Sequence, residues 1–436
     1  MFNESLFKSK HNESKKLKLV FIIICFICLS CADKKSENAN GNIIDTGPVG
    51  PTNPAPPSSM TLLAPAFSPN FDDRPWFTVG GVKNGYTVTI YTDSTCDTAS
   101  ISGESTGLTI DLQLSSLPIG TTNLYAKSIS EDELSSSCSP MLANYSRTLC
   151  PTGYVEVLSN SAVGTNATFC VMKYEAKCST TKEGLTSCPS PTGAPEASKV
   201  AVSTDIGLPW TSISAHEALE ACQDLNALHG VSNKFDLISN AEWMTIARSI
   251  EAKGTNWTND GGTQKLSLGH SDNSPNTICD GLISNVITNC STLDTNPSKF
   301  HQKRTFTLEN NEIIWDLSGN AWEWVDWEKE TPNLNFTAGP SNCLYDPNLG
   351  WEELQDKISS CDPQLGNPAG SILSSPLNTS LGSINHIGQA QGGPGEAITR
   401  GGRFGYEIVS GIYTLNLDNE DDDTDSAIGF RCVYRP

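Results

Sequence analysis

The stretch "WDLSGNAWEW", residues 315–324, limits what this chain can fold into more than any other segment. It sets three tryptophans beside two carboxylates, an amide and a glycine. A core strand does not carry Asp316 and Glu323 together unless each charge is paired or bound to a metal. A surface loop does not carry Trp315, Trp322 and Trp324. The indoles must be buried while something satisfies the carboxylates. A bound cation is one solution, and arginine or backbone donors are the other.

The N-terminus indicates an oxidising compartment. Lys15, Lys16 and Lys18 precede the apolar run 19–30, which is short for a membrane span and suits a signal-peptide core. Cys31 follows Leu29 and Ser30, an arrangement that resembles a bacterial lipobox, although Cys28 stands where leucine is usual. The expectation is a signal segment over 1–31 with Cys31 lipidated, so that the chain is exported and attached to a membrane of the cell envelope. Residues 32–59 are polar and rich in Pro and Gly, and read as a tether. A formal net charge of −21 argues against a nucleic-acid partner, which needs clustered basic residues.

Of fifteen cysteines, twelve remain beyond Cys31, an even number that suits disulfides. Spacing suggests Cys96 with Cys138, Cys150 with Cys170, Cys178 with Cys188, Cys279 with Cys290 and Cys343 with Cys361. Cys222 and Cys432 are left over, far apart. Spacing alone does not fix this connectivity.

Residues 60–148 hold short β-branched and aromatic runs separated by turn residues, the pattern of a β-sandwich. The region resembles bacterial immunoglobulin-like repeats, which implies a spacer or adhesive module.

Residues 149–436 read differently. "LPWTSISAHEALEACQDLN" (208–226) gives a helix capped by Ser212 or Ser214, with Ala215, Leu219, Cys222 and Leu225 on its apolar face. "SNAEWMTIARSIEA" (239–252) gives a second, capped by Ser239 or Asn240, with Trp243, Ile246, Ala247 and Ile250 at helical spacing. The order "LPWTSISAHEALEAC", "DLISNAEWMTIAR", "WDLSGNAWEWV", "ITRGG…IGFRCVYRP" resembles the formylglycine-generating enzyme, or sulfatase-modifying factor, family. The resemblance covers about residues 150–436. It implies an α+β chain in which the β-sandwich precedes a loop-rich domain of C-type-lectin type. It also implies calcium held by Asp316, Glu323 and the carbonyls of Gly319 and Ala321. A Cys222–Cys432 bridge from first helix to last strand fits the family, and Arg431 and Arg400 are expected as buried structural cations.

The resemblance fails at one place. The family's oxidation uses two cysteines after the "GG" of the last segment, soft ligands suited to Cu(I). Here those positions fall on Tyr406 and Gly411. Copper is therefore not expected, and no catalytic residue is assigned. His270, with Asp272 and Asn273, is a candidate second cation loop. Arg403, Phe404, Tyr406, Tyr413 and Asn416 are the candidate ligand surface, followed by the acidic run 418–425. The function these readings imply is a calcium-stabilised binding or adhesion module for a protein or glycan. The alternative is a divergent metal-dependent oxidative enzyme.

Overall fold

A computed structural model describes residues 52–181, 192–195, 198–280, 301–326, 351–353, 381–391 and 397–436. Cys188, Cys290, Cys343, Cys361 and Cys31 lie outside these residues. Among those described, strands predominate and α-helices number two.

Residues 59–147 form two sheets. The strands Ser59–Ala64, Trp76–Gly80 and Thr109–Gln113 make one; Ala99–Glu104, Thr87–Tyr91, Gly120–Ile129 and Ala143–Arg147 make the other. Alternation produces the core. Val88, Ile90, Leu124, Ala126 and Tyr145 from the second sheet meet Met60, Phe77, Val79 and Leu112 from the first. The Cys96–Cys138 disulfide joins the segments leaving Thr87–Tyr91 and Gly120–Ile129.

From residue 154 onward, the chain builds a six-stranded sheet and a four-stranded sheet with two helices. The strand Trp322–Val325 is interior to the larger sheet, antiparallel to Ala397–Arg400 and parallel to Ile428–Phe430. Helix α1 (Ala215–His229) starts at Ser214 and α2 (Asn240–Ala252) at Ser239, each with a reciprocal capping box to the third residue, Glu217 or Glu242. The inner face of α1 is Ala218, Ala221, Cys222 and Leu225, whereas Ala215 and Leu219 are only partly buried. In α2, Trp243, Ile246, Ala247 and Ile250 are fully buried, as their spacing implies.

The Cys222–Cys432 bridge ties α1 to the strand Cys432–Tyr434, and Cys150–Cys170 is also formed. Cys178 and Cys279 are disulfide-bonded. Phe71, which lies in sequence among the N-terminal strands, belongs to the core cluster of α1 and the four-stranded sheet.

Candidate functional site

The opening stretch turns between two strands. Ile313–Trp315 pairs with Thr305–Thr307, the chain reverses through Asp316–Ala321, and Trp322–Val325 enters the large sheet. Gly319 makes the reversal possible: its φ is +75°, and a Cβ there would lie 2.6 Å from the His270 carbonyl oxygen. The indoles go inward, and the Trp324 N–H donates to the Ile213 carbonyl at 2.8 Å.

Arginines satisfy the carboxylates. Asp316 is 2 % exposed and accepts Arg304 Nε and Nη2, both at 2.6 Å. Glu323 is fully buried and accepts Arg431 Nε at 2.6 Å and Nη2 at 2.5 Å. Such two-point pairs are the strong form of the interaction. Arg431 also donates to the carbonyls of Met172 and Trp315, both at 3.1 Å. Arg304 lies over the Trp315 ring.

A third carboxylate, Glu175, completes the arrangement. It accepts Asn320 Nδ2 at 2.6 Å and the Ala321 N–H at 3.2 Å, which holds the turn from beneath. Two residues on, Lys177 is buried, and its Nζ has no hydrogen-bond partner among the described residues. Burial pushes the Glu175 carboxyl up to about 8 and the Lys177 ammonium down to about 8. The charges of Glu175, Asp316 and Asp280 act on that ammonium against burial.

Calcium needs six to eight oxygens close around it. Here every oxygen of Asp316 and Glu323 accepts from a guanidinium, so a cation would have to displace both arginines. The donor set does not fit calcium. Of the ligands expected for calcium, Asp316, Glu323 and the carbonyls of Gly319 and Ala321, the two carboxylates are paired with Arg304 and Arg431 instead. Among the described residues, no group of three or more His, Cys, Asp or Glu side chains is placed to hold a metal.

The second proposed loop does not converge either. His270 is buried, with Nδ1 2.9 Å from the disulfide-bonded Cys279 Sγ and Nε2 2.9 Å from the Pro275 carbonyl. Asp272 accepts the Ser274 N–H, as in an ordinary turn, and Asn273 sits against Gly405.

At the surface, Arg403, Phe404 and Tyr406 lie together. The Arg403 guanidinium lies 4.8 Å from the Tyr406 ring centre and 5.2 Å from that of Phe404. Tyr406 meets Trp322 and Trp351 edge-on, and those two indoles stack at 5.6 Å. Tyr413 does not belong to this surface: it is fully buried, and its hydroxyl donates to Glu251. Asn416 is half-buried and accepts the Asp418 N–H.

The positions that would carry the copper cysteines are equally clear. Tyr406 is committed to its aromatic neighbours. Gly411 has no room for any side chain, since a Cβ would lie 2.3 Å from the backbone at Ile387 and Gly388. A tyrosine and a glycine do not fit copper.

Residues 143–436 match the sulfatase-modifying factor enzyme 1-like domain (FGE-sulfatase), and the chain belongs to that family. No curated protein matches the sequence. Among solved structures, PvdO from Pseudomonas aeruginosa is similar at 15% identity and a TM-score of 0.29, over 65% of this chain and 92% of that one. Treponema denticola variable protein 1 is similar at 12% identity and 0.29, with the same coverage. The Major Tropism Determinant I1 variant is similar at 13% identity and 0.29, over 86% of this chain and 83% of that one. Scores this low carry no functional weight.

Sequence reading did not single out Glu175, Lys177, Arg304 or Trp351. The first two carried a signal: "FCVMKYEAK" sets Glu175 and two lysines, Lys173 and Lys177, in an otherwise largely apolar run. Arg304 and Trp351 lie in polar surroundings with no local pattern.

Proposed function

We propose that this chain is an exported, lipid-anchored envelope protein whose family domain binds a protein or glycan ligand and does not oxidise cysteine. In this reading, residues 60–148 are an immunoglobulin-like spacer. The Arg403–Phe404–Tyr406 surface, backed by Trp351, is the contact face. Gly411 carries the argument: the backbone of Ile387 and Gly388 fills the space a second thiol would need. Arginine with flat aromatic rings offers hydrogen bonds and contact area at low entropic cost, which suits sugar rings or peptide side chains.

The test has two arms. The mature protein, incubated with Cu(I), oxygen and a sulfatase-type cysteine peptide, is expected to yield no aldehyde by mass spectrometry; turnover would overturn the reading. On glycan and surface-protein arrays, wild type is expected to give signals that Arg403→Ala and Tyr406→Ala both lose. Identical array patterns for wild type and both variants would remove the contact face from the proposal.

A further inference from the structure

A cavity of about 340 Å³ lies where the two-sheet region meets α1. Its walls come from both sides. Phe67, Phe71 and Asp72 follow the first strand, while Tyr154, Leu228 and Phe235 belong to the family domain. Phe71 packs edge-on to Phe235 at 5.9 Å, and Tyr154 does so at 6.0 Å. His229 stacks on Phe235 at 5.1 Å. Phe67 and Leu228 remain 41 % and 39 % exposed, so apolar surface meets water at this seam. Size and position suit a small-molecule site, which forms preferentially at domain junctions.

The polar character of the lining selects the ligand. Among the described residues, Asp72 is the one acidic side chain in the lining, and none there is lysine or arginine. Its carboxyl is fixed by accepting the Arg74 N–H at 2.9 Å. Aromatic faces attract a cation, an adjacent carboxylate pairs with it, and the chain's net charge of −21 draws cations toward the surface. An anion would be repelled by Asp72 and find no lysine or arginine among the described lining residues.

We propose that this cavity binds a small amphipathic amine, its aromatic or branched body held among Phe71, Tyr154 and Phe235 and its ammonium directed to Asp72. The site is separate from the Arg403 surface. A ligand there touches both regions of the chain, so occupancy stabilises the seam between them.

The test uses the mature chain and 2-phenylethylamine, with 3-phenylpropionate as the acid of matched shape, followed by calorimetric titration. Saturable binding of the amine at one site is expected, with the acid at least about tenfold weaker. Asp72→Asn keeps the acceptor for Arg74 and should erase the preference for the amine. Leu228→Trp fills the cavity from an exposed helix position and should abolish binding while circular dichroism stays unchanged. If Leu228→Trp misfolds, Asp72→Asn decides the matter. Absence of saturable amine binding, equal binding of the acid, or full affinity in a folded Leu228→Trp overturns the proposal. So does tight binding of myristate in place of the amine, which would make the cavity an acyl site.

Discussion

The two-sheet region and the family domain solve the same problem with different interiors. The first has an apolar core, Phe77, Val79, Ile90, Leu124 and their neighbours, with its charged residues outside. The second buries Arg304, Arg400, Arg431 and Lys177 beneath less than 3 % exposure. A region of alternating strands can fill its interior with side chains of one kind, because every second residue points inward. A loop-rich domain cannot. Its turns expose backbone groups to the interior, and long charged side chains reach them: Arg431 serves two carbonyls besides Glu323, and Arg400 serves Asn240 and the Tyr413 carbonyl. Buried ion pairs here hold loops together more than they add net stability.

Removing one partner should therefore produce the largest effect. Arg431→Met leaves Glu323 buried and unpaired and is expected to cost about 3–5 kcal/mol in denaturant unfolding. The double change Arg431→Met with Glu323→Leu should recover part of that loss. In the two-sheet region, Leu124→Ala should cost about 2–5 kcal/mol by cavity formation, with no polar substitution able to rescue it. Equal rescue in both regions would erase the contrast.

Lys177 sharpens it further. Arg431 makes four hydrogen bonds, whereas the Lys177 Nζ makes none among the described residues. No hydrogen bond among the described residues offsets its burial, so Lys177→Met is expected to be neutral or stabilising by about 1 kcal/mol. Destabilisation comparable to Arg431→Met would show that its charge is needed against Glu175 and Asp316. Because both arginine-paired carboxylates are occupied, adding calcium or EDTA should leave the melting temperature unchanged, whereas a bound ion would raise it with concentration.

The disulfides give a smaller difference. Cys222–Cys432 closes a separation of 210 residues and Cys96–Cys138 one of 42. Loop-closure entropy makes the longer one worth roughly 1.4 kcal/mol more, readable from paired serine double mutants.

How far the sequence reveals this depends on how local the cause is. The strands of 60–148 follow from alternation, and Ser214 and Ser239 are legible because a cap and its glutamate are three residues apart. Cys222–Cys432 is reachable because the family resemblance implies a bridge from the first helix to the last strand. The partners of Asp316 and Glu323 were not. Arg304 is twelve residues before Asp316 and Arg431 is 108 after Glu323. The two open solutions for "WDLSGNAWEW", metal or arginine, look alike until the fold places the guanidiniums. Tyr413 failed as a surface residue for a related reason. It is two residues from a glycine that admits no side chain, in a segment pressed against Ile387.

A pH slope from one buried histidine separates the family domain from the two-sheet region. His386 sits at φ +63° with its Nδ1 3.0 Å from the Leu266 carbonyl, and burial holds the imidazole down to about 4 from an ordinary 6.5. The fold therefore favours the neutral ring. Its contribution is complete above 6.5 and is lost as the pH falls toward about 4, where the folded state also protonates. Glu175 works in the opposite sense. Its carboxyl is raised to about 8, so its stabilisation is lost as the pH rises from 4.5 toward 8. The two slopes overlap, so the total melting curve does not isolate either one. The difference between wild type and His386→Asn does, since asparagine tolerates a positive φ and cannot titrate. Residues 60–148 contain no histidine and should contribute nothing to that difference. A difference that grows steadily from pH 6.5 down to 4 confirms the buried neutral ring; a flat one means the imidazole is as accessible to protons in the fold as in the open chain.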